Sequence, residues 1–144
     1  MDKDIQRFID YVKIDTQSDD TSFSVPSTLK QLDLSRRLQK DLKELGIDSV
    51  LDEFGIVYAK LPGEEGLPCI GLNAHVDTAL ECPDADVKPQ VIENYDGGVI
   101  DLGHGYTMSP AQFPHLSDHV GDTLIVTSGD TLLGADDKAG DAII

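Results

Sequence analysis

The sequence has few basic residues, few cysteines and no long apolar run. Its 144 residues contain 11 Lys and Arg against 27 Asp and Glu, which gives a formal net charge of −16. Such an acidic chain repels phosphate backbones, so we expect no binding to nucleic acids. No stretch approaches the roughly 20 apolar residues that cross a bilayer, so we expect no membrane partner.

The cysteines and the start of the chain indicate a cytoplasmic protein. Cys69 and Cys82 are the only cysteines, and their spacing provides neither a disulfide framework nor a CxxC metal pattern. Free thiols are typical of a reducing compartment. Residues 1–4 (Met-Asp-Lys-Asp) lead into a polar helix pattern rather than an apolar segment, so we expect no secretory signal.

The hydrophobic pattern predicts helices first and strands afterwards. Apolar residues recur at helical spacing over 5–12 and over 34–45, which indicates two amphipathic helices. Short strands are predicted at 47–53 and 56–59. The apolar run 69–74 is typical of a central strand covered on both faces. Together with an apolar content of 40%, this order predicts an α/β layered domain.

The second half of the chain is more irregular. Prolines and glycines interrupt 79–122 repeatedly, although 99–102 is predicted as a short strand and Pro114 as the start of a short helix. A strand is predicted over 123–127 and a helix from about Lys138. Asp84-Ala85-Asp86 lacks the Gly and Glu of a calcium loop, so we interpret it as a solvated loop.

The first candidate chemical motif is His75-Val76-Asp77, at the end of the predicted central strand. Alternate side chains of a strand point the same way, so His75 and Asp77 share a face. A neutral imidazole is a common metal ligand, and a nearby carboxylate can accept its other N–H. The alternative is a strand-end histidine that simply hydrogen bonds to its neighbour.

The second candidate motif is Gly134-Ala135-Asp136-Asp137-Lys138. Two carboxylates at the start of a helix can cap it and favour its dipole. One of them could instead bind a divalent ion such as Zn²⁺, Mn²⁺ or Co²⁺ together with an imidazole. Because both motifs follow apolar segments, we expect His75 and Asp136 to converge at one edge of the domain.

Asn73–Thr78 and Thr131–Gly140 together resemble the two N-terminal metal motifs of the M20 dinuclear metallopeptidases. Within that family the chain is most similar to the tripeptide aminopeptidases. Further stretches that carry the resemblance are 11–12, 15–18, 25–28, 89–95, 109–110 and 113–114. The resemblance implies a three-layer α/β/α zinc-peptidase-like catalytic domain. Residues 1–144 would be its N-terminal portion only, without the lid or dimerisation domain.

The resemblance also implies a role for each site residue. His75 would bind one metal ion and Asp136 would bridge two divalent ions, zinc or alternatively manganese or cobalt. Asp77 would be the catalytic residue that orients His75. The family often has a cis peptide after the bridging aspartate, which here is Asp136-Asp137, and Asp137 would then have a local role. No other cofactor is implied.

The implied reaction is release of the N-terminal residue from a tripeptide. The family's general base is a Glu in an adjacent Glu-Glu pair that lies beyond residue 144, as do the remaining ligands. Glu64-Glu65 precedes both motifs and is interpreted as a solvated turn. We therefore expect the chain alone to be inactive, and the complete enzyme to act on short peptides, with a homodimer as a candidate assembly.

Two alternatives remain open from the sequence. The chain could be an acidic binding or scaffold module that kept the fold without the chemistry, or an M20 amidohydrolase or carboxypeptidase with another substrate. The apolar residues in 141–144 favour a truncated chain over a self-standing module. His104, His115 and His119 are interpreted as surface histidines.

Overall fold

The computed structural model describes residues 3–144, which form helices and short antiparallel strands. The helices are α1 (Lys3–Val12), α2 (Gln31–Glu44) and α3 (Ala135–Ile143), and a 3-10 helix spans Pro114–His119. Both N-terminal helices lie where the apolar spacing predicts them. Among residues 3–144, no helix combines the length and apolar character that crossing a membrane requires.

The strands pair in three antiparallel two-stranded sheets. β1 (Ser49–Leu51) pairs with β2 (Val57–Ala59), and β4 (Ile100–Gly103) pairs with β5 (Tyr106–Met108). β3 (Gln90–Ile92) pairs with the distant β6 (Leu124–Val126), with Val91 opposite Ile125. The structure thus confirms the predicted strands at 47–53, 56–59 and 123–127 with shorter bounds, confirms the strand at 99–102 shifted by one residue, and adds β3 and β5.

The predicted central strand over 69–74 is wrong for the described residues. That segment is in no strand of the structure, and Ile70 and Leu72 are 81% and 71% exposed. An apolar run favours burial, but a strand also needs neighbours that accept and donate its backbone hydrogen bonds. The mixture of helices and strands is consistent with an α/β protein.

Two clusters of buried side chains hold these elements together. The first joins α1, α2 and α3, so the third helix is fixed against the first. Its members are Phe8, Tyr11, Val12, Leu34, Val87 and Ala142. The second lies under the β3–β6 and β4–β5 pairs and consists of Tyr95, Ile100 and Leu102. Leu133 and Ala139, on either side of the start of α3, also pack against the first cluster, so the segment that carries the second motif rests on the main core.

Candidate metal centre

The structure brings the two motifs together. His75 Nε2 lies 2.9 Å from Asp136 Oδ1, although the two residues are 61 positions apart. On the other side of the ring, His75 Nδ1 lies 2.9 Å from the carbonyl oxygen of Asp77 and 3.3 Å from its carboxylate Oδ1. His75 and Asp136 therefore converge as predicted, and Asp77 contacts the imidazole through both its carbonyl and its carboxylate oxygen.

The tautomer that suits a cation follows from these contacts. An Nδ1–H that donates to the Asp77 carbonyl oxygen leaves the Nε2 lone pair available to a metal ion. Both ring nitrogens donate only in the imidazolium form. Burial lowers the pKa of His75, but hydrogen bonds to Asp136 and Asp77 and the negative charges of both residues outweigh it and raise that pKa above 6.5.

Backbone contacts position the first motif. Thr78, directly after Asp77, forms a parallel bridge with Gln17. Its backbone N–H donates to the Thr16 carbonyl oxygen at 3.3 Å, and its carbonyl oxygen accepts from the Ser18 N–H at 3.0 Å. The loop after α1 therefore fixes the end of the segment that carries His75.

A left-handed glycine positions the second motif. Gly134 has φ +73° just before α3, and Asp136 and Asp137 have non-helical dihedral angles. The Asp136-Asp137 peptide bond is cis, as the resemblance implied. Asp137 Oδ1 accepts a hydrogen bond from the Gly140 N–H at 3.1 Å, which is a local role. Asp136 instead projects outward, with 95% of its side chain exposed.

The side chains of His75 and Asp136 face an open cleft. Its volume is about 390 Å³, and apart from Asp77 the rest of its wall consists of small or apolar residues. The lining residues are His75, Asp77, Thr78, Ala79, Leu132, Gly134, Ala135 and Asp136. An imidazole nitrogen and an exposed carboxylate are ligands that suit zinc, manganese or cobalt. The cleft thus offers a cation two ligands and room for further ones.

Residues 3–144 supply too few ligands to complete a metal site by themselves. Within that range, no set of three or more His, Cys, Asp and Glu side chains is arranged to hold a metal ion. A tetrahedral zinc site needs four ligands. The donor set therefore fits a divalent ion in type but supplies only part of the coordination shell.

Sequence reasoning missed the acid and the base that lie behind the cleft. The prediction of a solvated loop is wrong for Asp84, which is 1% exposed, while Ala85 and Asp86 are exposed as expected. Asp84 pairs with Lys138, 54 positions away. Burial lowers the pKa of Lys138, although the charge of Asp84 opposes this. Since its partner is so distant, no local pattern marks Asp84 as buried.

A third acid in α3 was also missed. Asp141 is partly buried, and within residues 3–144 its Oδ2 atom has no hydrogen-bond partner. Burial and the negative charge of Asp137 raise the pKa of Asp141 to about 7, against the opposing charges of His75 and Lys138. The position of Asp141 in the apolar pattern near the C-terminus was the available signal.

The other candidate residues behave as predicted. His104, His115 and His119 are exposed, and the His119 ring contacts a nearby carboxylate, that of Asp122, at 3.0 Å. Both cysteines are free. The turn containing residues 64–65 is exposed.

Comparisons with known proteins support the likeness drawn from the motifs. A protein named Peptidase T from Clostridium perfringens (strain 13 / Type A) is 50% identical over 147 residues, which cover 100% of this chain and 36% of that protein. The chain resembles Peptidase T along its whole length. Proteins with the same name from Exiguobacterium sp. and Desulfitobacterium hafniense (strain DSM 10664 / DCB-2) are 52% and 51% identical over 97% of the chain.

The likeness to Peptidase T covers only part of those proteins. The chain spans about 35–36% of the length of the relatives from these three organisms. No family model matches the sequence. The resemblance to Peptidase T is therefore confirmed over this chain, and the activity of a whole protein remains to be proposed.

Proposed function

We propose that this chain is the N-terminal part of the catalytic domain of a cytoplasmic, metal-dependent aminopeptidase that releases the N-terminal residue from tripeptides. The proposal depends on the 2.9 Å approach of His75 Nε2 to Asp136 Oδ1. The similarity to Peptidase T supports the reaction type and the substrate class. The complete domain would be the three-layer α/β/α zinc-peptidase-like domain.

Each residue of the pair has a distinct role in this proposal. Divalent ions, zinc or in its place manganese or cobalt, supply such a site with polarisation of the scissile carbonyl and activation of a water molecule. His75 would hold one ion through Nε2, because Nδ1 already faces the Asp77 carbonyl oxygen. The exposed carboxylate of Asp136 would be shared by two ions. Asp77 would keep the ring oriented and increase its basicity.

The chain would provide only part of the catalytic machinery. The general base and the remaining ligands would come from residues outside 1–144, as the resemblance implies, and the homodimer is a proposal for the complete enzyme. Two ligands bind a metal ion more weakly than a full set of four, so cation binding is the property to test first. We expect no measurable tripeptide hydrolysis by the 144-residue chain.

Cobalt titration of the purified chain tests the metal site. Binding of Co²⁺ is followed by calorimetry and by visible absorption. We expect His75→Ala and Asp136→Asn to abolish saturable binding, and Asp77→Asn to weaken it by about 10–100-fold. The matched control is His119→Ala, since His119 also contacts an aspartate, at 3.0 Å. Cobalt binding that is insensitive to His75 contradicts the proposal and favours an acidic binding module.

A second measurement tests whether the general base lies outside residues 1–144. The chain is incubated with a tripeptide and excess Zn²⁺, and free N-terminal amino acid is quantified by mass spectrometry. No product is expected. Turnover that survives rigorous purification and disappears in His75→Ala shows that a general base lies within the 144 residues.

A further inference from the structure

A buried ion pair lies directly behind the candidate metal centre. Lys138 Nζ is 3.1 Å from Asp84 Oδ2, and both side chains are 0% exposed. Charges removed from water are costly unless they are paired and fully hydrogen bonded. This pair therefore exists only because the surrounding residues satisfy both of its members.

The partners of the ion pair come from separate parts of the chain. Asp84 Oδ2 accepts hydrogen bonds from the Thr16 backbone N–H at 2.9 Å and from Thr78 Oγ1 at 2.7 Å. Lys138 Nζ also donates to the Ile14 carbonyl oxygen at 2.7 Å. Thr16 and Thr78 are 0% and 2% exposed. The loop after α1, the first motif, residue 84 and the start of α3 thus meet at one point.

These contacts connect the two halves of the candidate centre, which are the segment that carries His75 and the segment that carries Asp136. Thr78 directly follows Asp77, and Lys138 lies two residues after Asp136. Packing between the halves is close, because a Cβ atom on Gly134 would lie 3.3 Å from Thr78 Cγ2 and 3.5 Å from Asp84 Oδ1. The ion pair holds the backbone that carries His75 against the backbone that carries Asp136.

We propose that Asp84 and Lys138 are positioning residues that set the distance between His75 and Asp136, and thereby the affinity of the centre for a divalent ion. The inference rests on the proposed function. Neutral side chains of similar size often replace a buried ion pair without loss of stability. Stability alone therefore does not require these charges, whereas their directional contacts to Thr78 and Ile14 orient both motifs.

The double variant Asp84→Asn/Lys138→Met tests the proposal in the 144-residue chain. It removes both charges and leaves no unpaired one. The ¹⁵N shifts of the His75 ring nitrogens, measured without metal, report the contact with Asp136, and cobalt titration reports affinity. We expect the His75 shifts to move toward those of a solvated imidazole, and Co²⁺ affinity to fall by about 10–100-fold.

Two controls accompany the double variant. The His119 ring nitrogens, which face Asp122 at 3.0 Å, should keep their shifts in the same spectrum. Lys40→Met/Glu44→Gln neutralises the exposed ion pair of α2 and should leave the His75 shifts and the cobalt affinity unchanged. A folded Asp84→Asn/Lys138→Met variant with the His75 shifts of the unaltered chain overturns the proposal.

A milder pair of variants covers the case in which the double variant does not fold. Thr78→Val removes the hydroxyl that donates to Asp84 but retains both charges and similar volume. Thr78→Ser restores the hydroxyl. We expect Thr78→Val to shift the His75 signals and weaken cobalt binding, and Thr78→Ser to recover both. Equal values for the two variants refute a positioning role.

The two readouts separate this inference from the proposed function. If the unaltered chain binds no cobalt through His75, while its ring-nitrogen shifts still respond to Asp84 and Thr78 variants, the metal site fails and the positioning contact stands. If the unaltered chain binds cobalt and the folded variants bind it equally well, the metal site stands and the positioning role fails.

Discussion

Replacing Asp141 with Asn removes a carboxyl group from a partly buried position in α3. The Oδ2 atom of Asp141 lacks a hydrogen-bond partner in the described part of the chain, and its pKa is raised from 3.8 to about 7 by burial and by Asp137. A carboxyl group whose pKa is higher in the folded than in the unfolded chain holds its proton more tightly when folded. The free energy of unfolding must then decrease as that proton is lost.

The sign and size of the effect follow from this difference in pKa. Stability is highest below about pH 4, decreases as the pH rises toward about 7, and is constant above that, as far as Asp141 contributes. A pKa difference of about three corresponds to at most ~4 kcal/mol. Because the side chain is only partly buried and water screens its charge, we expect about 2 kcal/mol. Asp141→Asn should be more stable than the unaltered chain by this amount at about pH 8, and equally stable near pH 4.

Urea unfolding followed by circular dichroism measures this difference. Both proteins are unfolded at about pH 4.5, 6 and 8, and the variant's free energy of unfolding is compared with that of the unaltered chain at each pH. Asp118→Asn, at an exposed position of the 3-10 helix, is the matched control and should show no such trend. A stability difference that is the same at all three pH values refutes the assignment of the raised pKa to Asp141.

Two further predictions concern the start of α3 and its histidine partner. Gly134→Ala should reduce the free energy of unfolding by at least about 1–2 kcal/mol, and by more than Gly66→Ala, because both glycines have positive φ but only Gly134 has close neighbours. In NMR titrations, His75 should titrate above pH 6.5 and Asp136→Asn should lower its pKa. The stabilisation from a protonated His75 is then complete below about pH 6.5 and is lost as the pH rises through the folded pKa. If the pKa of His75 is the same in Asp136→Asn as in the unaltered chain, the 2.9 Å contact is contradicted.

Local periodicity was sufficient to predict the helices. The spacing over 5–12 predicted α1, and the structure buries Phe8, Ile9 and Val12 on one face. In the predicted second helix, Leu34 is 0% exposed but Leu45 is 60% exposed, since the helix ends at Glu44. A helix satisfies its backbone within one segment, so its pattern carries most of the information that its formation needs.

The pairing of strands that are distant in sequence could not be predicted in the same way. Residues 69–74 have the composition of a covered strand, yet no described strand pairs with them and Ile70 is 81% exposed. Conversely, β3 pairs with β6 across more than 30 residues, and nothing local in Gln90–Ile92 indicated its partner. Strand formation depends on a neighbour whose position the segment itself does not encode.

The difference between local patterns and long-range contacts also explains which residues of the candidate centre could be predicted from the sequence. Metal-ligating residues are recognisable by type, since an imidazole and a carboxylate at the ends of elements suggest a cation whatever lies behind them. The residues that hold these ligands in place can be identified only from their contacts in the folded chain. From the sequence, Asp84 is indistinguishable from an exposed loop aspartate, because its partner Lys138 is 54 positions away. Exposure separates the two groups in the folded chain: His75 and Asp136 are 52% and 95% exposed, whereas Asp84 and Lys138 are 0% exposed. The first pair is open to solvent, and the second pair can influence what happens there only through the first.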